Sequence, residues 1–165
     1  MAMATYLQMV DKKEIGKLRA NPEWIHELDQ PSDDSYRTHF CCSINYFLTG
    51  SAWPDPDESG LACILGGSES VACKTLENGA FSLLAPDEVS VLAKRLARVD
   101  LKHVRAEIEN ADFDRLVEEE EVDDLELLEG IEEDPADLLM GEIDELIEFY
   151  GNAADAKKGV VSYTT

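Results

Sequence analysis

Apolar residues recur along this chain at two different periods, and the changes between them mark out its elements. Tyr6, Leu7, Met9 and Val10 predict a strand from Thr5 to Val10, although its alternation is imperfect. Asp11 and Glu14 have the spacing of a capping box, so a helix should follow with Ile15 and Leu18 inward. Asn21-Pro22 restarts the chain as cap and first helical residue, and Trp24, Ile25 and Leu28 line a second short helix. The stretch from Gln30 to Asp34 is a polar break. Beyond it Tyr36, Phe40, Ile44, Phe47 and Leu48 recur at helical spacing. That helix should stop near Thr49-Gly50, where glycine can take the left-handed conformation.

Ser51 to Gly60 reads as a loop. Leu61 to Leu65 is a short apolar run, either strand or helical turn, closed by Gly66-Gly67. Ala80 to Leu84 reads as a strand or an extended entry to the next helix. Pro86 at a first helical position, with Asp87 and Glu88 in the first turn, opens a helix that buries Val89, Leu92, Ala93, Leu96 and Val99. Leu101 to Asn110 continues as a further helix. Asp134-Pro135 starts the clearest helix of all, with Leu139, Ile143, Leu146, Ile147, Tyr150 and Ala154 as its inward stripe. Lys157-Lys158 suits the negative C-terminal end, Gly159 is expected to close the helix, and Val160 to Tyr163 is a final strand.

Composition adds a charge problem to this ordinary pattern. The 165 residues make one expected domain spanning 1–165, large enough to build a core without disulfide or metal. There are 36 Asp and Glu against 14 Lys and Arg, a formal net charge of −22. Such a field repels phosphates and anionic lipid, so neither nucleic acid nor membrane is expected as a partner, whereas a basic protein is favoured. Twenty of the acids lie between Glu107 and Glu148, where Arg115 is the only base. Leu116, Val117, Val122, Leu125, Leu127, Leu128 and Ile131 are interspersed with them, which argues for a folded face rather than a solvated tail. The first residues lack a basic region followed by an apolar run, and no apolar stretch is long enough to span a bilayer, so the cytoplasm is the expected location. Cys41, Cys42, Cys63 and Cys73 form no Cys-x-x-Cys pair and are expected to be buried thiols.

Met1-Ala2-Met3, Tyr46-Phe47-Leu48-Thr49-Gly50, Ile64-Leu65-Gly66-Gly67, Leu84-Ala85-Pro86-Asp87-Glu88-Val89, and Phe149-Tyr150 through Ala153-Ala154 with the strand that follows form an ordered set of segments. Together they resemble the YfbM-like family, a bacterial family of unknown function. The resemblance covers nearly the whole chain. It implies an α+β fold with a small, mostly antiparallel sheet that includes both chain ends and packs against several helices. Two segments depart from the family. Thr38 to Asn45 replaces an Asp-Lys-x-Trp-Asp pattern, and the acidic run Glu118 to Asp124 replaces a Tyr-Pro-x-x-Trp pattern.

Candidate chemistry is sparse. On a helix, His39 and Cys42 would share a face while Cys41 points elsewhere, and no nucleophile elbow or oxyanion glycine accompanies them. His26, His39 and His103 have no zinc spacing. An EF-hand aligned on Gly130 puts Leu125 and Leu127 at ligand positions, so that motif fails; no metal site and no cofactor are expected. Gly66-Gly67-Ser68 lacks the lysine of a phosphate loop and reads as a turn. Asp55, Asp57 and Glu58 lie in a proline-rich loop without an opposing carboxylate. What remains is the acidic surface, with Glu118, Glu119, Glu120, Glu121, Asp123 and Asp124 as binding residues and Trp53 as an aromatic anchor beside Trp24, Tyr36 and Tyr163. The expectation is a non-enzymatic protein-interaction module. An immunity-type inhibitor of a basic toxin and a small-molecule enzyme with an unrecognised pocket are the alternatives. A cleft collecting His39, Cys42 and distant carboxylates would favour the last of these.

Overall fold

Strand β1 (Thr5–Val10) lies inside the sheet, which explains its imperfect alternation: Leu7 and Met9 face one core while Val10 faces another. The computed structural model describes residues 3–28, 35–55 and 60–165. Five antiparallel strands form one sheet in the order β2 (Ser35–Thr38), β1, β5 (Gly159–Thr164), β4 (Ala80–Leu84), β3 (Glu69–Ala72). The two terminal strands pair along their length, from Thr5 opposite Thr164 to Val10 opposite Gly159. The expected α+β architecture, with both chain ends in the sheet, is the one observed.

The sheet separates two cores. On one side lie Val10, Phe81, Leu83, Val161 and Tyr163, covered by Ile15 and Leu18 of α1 (Lys12–Ala20) and by Ile25 of a 3-10 helix (Pro22–Glu27). On the other side Leu7, Met9, Leu84 and Val160 meet the larger helical layer. That layer contains α2 (Cys41–Thr49), α3 (Pro86–Leu96), α4 (Leu101–Asn110), α5 (Phe113–Glu120), a 3-10 helix (Asp123–Leu128) and α6 (Pro135–Asp155). Each fully buried Leu, Ile or Val contributes about 1.5–3 kcal/mol of transfer free energy. The two-sided burial of β1 and β5 makes them the centre of the fold.

Local signals hold at most helix starts. Asp11 and Glu14 form the anticipated reciprocal cap, and Asp134 accepts from the Asp137 N–H ahead of Pro135. Glu88 reaches back to the Ala85 N–H at 2.7 Å. Gly50 ends α2 with φ 87°. The acidic segment is folded as its aliphatics require, with Leu116, Val122, Leu125 and Leu128 in the main core.

Two expectations need correction. Tyr36 belongs to β2 rather than to the helix after it, because it pairs opposite Leu7 and its hydroxyl donates to the Glu142 carbonyl of α6. Gly159 opens β5 instead of closing α6; Lys157 takes the left-handed turn there, at φ 55°. Of the two readings open for Leu61 to Leu65, the turn is the one observed. It is held by Tyr150, whose hydroxyl donates to the Ile64 carbonyl at 2.5 Å, and by Ser162, which donates to Leu65 at 2.7 Å. β3 carries no clear apolar signal because it is a short edge strand, half-exposed along its length. The polar break Gln30 to Asp34 lies outside the described residues.

Candidate functional site

The site is assembled around the first turn of α2. Phe40 stands at its cap position and has no side-chain acceptor for the free N–H groups. Asp124 supplies one from 82 residues away: its carboxylate accepts from the Cys42 N–H at 2.6 Å, and it also accepts from the Ser43 N–H and from the Ser43 hydroxyl at 2.5 Å. Burial pushes the Asp124 carboxyl above its ordinary value of 3.8, with the bonds from Ser43 and Cys42 pulling the other way. Asp124 is therefore a structural cap, which docks the acidic 3-10 helix against α2.

That docking leaves a groove where β1 begins and β5 ends. Two hollows, about 520 and 290 Å³, share Thr5, Cys41, Trp53, Asn78 and Thr164 as walls. The larger one gathers His39, Cys42, Asp123 and Glu126. The smaller runs over Asn45, Gly66 and Gly67. Trp53 stands on the rim with 58% of its surface exposed, above the buried Ala52. The 3-10 helix thus puts the exposed Asp123 and Glu126 in the same hollow as an exposed indole.

Asn45 is a buried polar residue lining the smaller hollow. Its amide nitrogen donates to the Ala52 carbonyl at 3.3 Å, which orients the group. Its Oδ1 is buried and has no hydrogen-bond partner among the described residues. A buried acceptor left unmatched costs about 1–3 kcal/mol, part of which a donor that reached it would recover.

Cys41, Cys42 and His39 line one hollow but are not arranged for nucleophilic chemistry. Burial raises the Cys41 thiol, and burial together with Asp124 pushes Cys42 up to about 12. A reactive cysteine needs the opposite shift. His39 lies before α2, not on it, so it does not share a helical face with Cys42. Its Nδ1 donates to the Met3 carbonyl at 3.3 Å while its Nε2 accepts from Arg37 at 3.1 Å, leaving neither nitrogen for a thiol. None of the four cysteines is in a disulfide.

The remaining predicted residues are dispersed. Glu118 borders a separate hollow with Phe113 and Leu125, Glu119 pairs with Arg115 at 3.3 Å, and Glu121 takes the left-handed turn that ends α5. Glu120 is exposed on α5. Of the four aromatic candidates only Trp53 is an exposed anchor: Tyr36 and Tyr163 are buried, and Trp24 packs under the Lys17 ammonium at 4.8 Å. Gly66-Gly67 is a turn. A Cβ at Gly67 (φ 64°) would lie 2.6 Å from Ser82 Cβ, and Ser68 donates to Glu88 rather than facing a phosphate space. Asp57 and Glu58 lie outside the described residues. His103 sits 3.2 Å from Glu107, and His26 contacts Thr75. Asn45 went unnoticed in the sequence, although a polar residue inside the apolar α2 pattern, four positions after Cys41, was the available signal.

A larger hollow of about 780 Å³ lies among α2, α4 and α5, lined by residues such as His103, Glu107 and Arg115. No buried side-chain atom without a partner faces it among the described residues, and within its lining His103 Nε2 lies 3.2 Å from Glu107. No helix among the described residues is long and apolar enough to cross a membrane.

A family model described as a domain of unknown function (DUF1877) matches residues 1–163. The crystal structure of YfbM from Escherichia coli, a protein of unknown function, is similar at a TM-score of 0.69 and 18% identity, covering 98% of this chain and 99% of that chain. At that identity the likeness is one of fold. No curated protein matches the chain.

Proposed function

We propose that this chain, which belongs to the DUF1877 family of unknown function, is a binding module whose groove takes a cationic side chain from a basic protein partner. The observation that carries this reading is the meeting of Trp53, Asp123 and Glu126 in one hollow, with Trp53 also walling the neighbouring hollow that Asn45 lines. An exposed indole attracts a cation by its face, two carboxylates attract it by charge, and Asn45 asks for a donor. A guanidinium satisfies all three demands at once, and an ammonium does so with fewer bonds. The net charge of −22 then acts at longer range, steering a basic partner toward the groove. An immunity-type inhibitor of a basic toxin is a special case of the same recognition.

The test is an intrinsic-fluorescence titration in a Trp24→Phe background, so that Trp53 is the only reporter. Oligoarginine peptides should shift its emission saturably, with affinity falling as salt rises, and oligoglutamate should not. Trp53→Ala, read by calorimetry, and Asp123→Asn should each weaken binding. Equal response to both peptides, or no loss in either variant, defeats the reading.

A further inference from the structure

We propose that Glu23, His26 and Cys73 form a site for a zinc-type divalent transition-metal ion, on the side of the sheet that carries α1. The ligating atoms of these three residues all lie within 4.8 Å of one another. Glu23 and His26 are three apart on the Pro22–Glu27 3-10 helix, where three residues complete a turn, so both project from the same side. Cys73 follows β3. Its N–H donates to the Gly79 carbonyl at 2.8 Å and its carbonyl accepts from Leu76 at 3.2 Å, so the turn between β3 and β4 fixes it.

The Thr75 hydroxyl now sits among the three groups. It lies 2.8 Å from His26 Nε2, 2.8 Å from Glu23 and 3.3 Å from Cys73 Sγ. An ion held at about 2.0–2.3 Å from these ligands would take over the position at which they now converge on that hydroxyl. The donor set is one thiolate, one imidazole and one carboxylate. It suits a borderline-soft ion such as Zn²⁺ or Co²⁺ and not Ca²⁺ or Mg²⁺, which demand oxygen cages. On binding, the Cys73 S–H gives its proton to solvent as the Cys73–metal bond forms, so affinity must rise with pH. Three protein ligands leave a fourth position for water. Glu23, His26 and Thr75 are exposed, which gives the ion a path in, while the buried Cys73 supplies the fixed end. This site shares no residue with the groove and does not depend on its function.

Reduced, chelator-stripped full-length protein titrated with Co²⁺ tests the assignment. One equivalent should produce the sulfur-to-cobalt charge-transfer band and the visible bands of tetrahedral cobalt, and one equivalent of Zn²⁺ should abolish both. Cys73→Ser should remove the charge-transfer band, while Cys41→Ser should keep it. His26→Gln alters an exposed side chain and so leaves the fold intact; it should weaken Co²⁺ binding by more than about tenfold, at least the loss expected for an outer-shell partner. Absence of a thiolate band in the wild-type protein, a band surviving in Cys73→Ser, or unchanged affinity in His26→Gln overturns the proposal.

Discussion

The Asp124 carboxylate caps α2 by accepting from both the N–H and the hydroxyl of Ser43, joining two segments 81 residues apart. The acid that appears in the sequence as part of a repelling run is thus an organising contact of the groove. Replacing it with alanine strips the cap from α2 and leaves the Ser43 hydroxyl unmatched. Asp124→Ala should cost about 1–3 kcal/mol of unfolding free energy in urea titrations. Asp124→Asn, which keeps one acceptor, should cost less. In a double-mutant cycle with Ser43→Ala the two losses should be clearly non-additive.

The same residue sets a pH dependence with a definite sign. Burial raises the folded-state carboxyl above 3.8, so in that window the folded chain binds more protons than the unfolded chain. Stability contributed by this group is present below its unfolded value and is lost as pH rises through the folded one. The stability of the wild-type protein relative to Asp124→Asn should therefore fall as pH is raised from about 3 to about 6. A relative stability that rises over that range would contradict the assigned shift.

Across three strands, Arg37, Tyr6 and Tyr163 form a ladder. Tyr6 and Tyr163 stand directly opposite in β1 and β5 with ring centroids 5.2 Å apart and planes 7° from parallel, and Arg37 lies 5.3 Å from the Tyr6 ring. Tyr6 is only partly buried, so Tyr6→Ala should cost more than about 0.5–1.5 kcal/mol, the worth of ring stacking alone, and less than about 3–5 kcal/mol, that of a large aromatic inside a core. Arg37→Ala should cost about 0.5–1 kcal/mol, the worth of an exposed cation–π contact. Thermal unfolding of the two variants checks the order.

Self-repulsion is the remaining cost of a charge of −22. Raising sodium chloride from about 0.01 M to about 0.15 M shortens the screening length from about 30 to about 8 Å, so the melting temperature should rise by several degrees. The acidic run contributes little to offset this, since Arg115–Glu119 is an exposed pair. A melting temperature that falls with salt would mean that ion pairs outweigh repulsion.

Most of the helices and both terminal strands were legible, because caps and apolar periods act over a few residues. Asp11-x-x-Glu14, Pro86 and Asp134-Pro135 each announce a helix start by local chemistry alone. What escaped depends on contacts far apart in the chain. Tyr36 has a helix-compatible spacing, but pairing with Leu7 and a bond to Glu142 draw it into β2. Within Glu118 to Asp124, nothing local distinguishes Asp124, which caps α2, from Asp123, which lines the groove exposed. Likewise His26 shows no zinc spacing because Cys73 reaches it through β3, not along the helix.

The claim that the groove reads a cation through Trp53 and Asn45 is tested most directly by ¹H–¹⁵N correlation spectra of the wild-type protein during titration with an arginine-rich peptide. The account predicts that the Trp53 indole N–H and the Asn45 side-chain amide shift together and saturate, while the Trp24 indole N–H stays in place. Shifts confined to Glu118 through Glu121, with Trp53 and Asn45 unmoved, would contradict it.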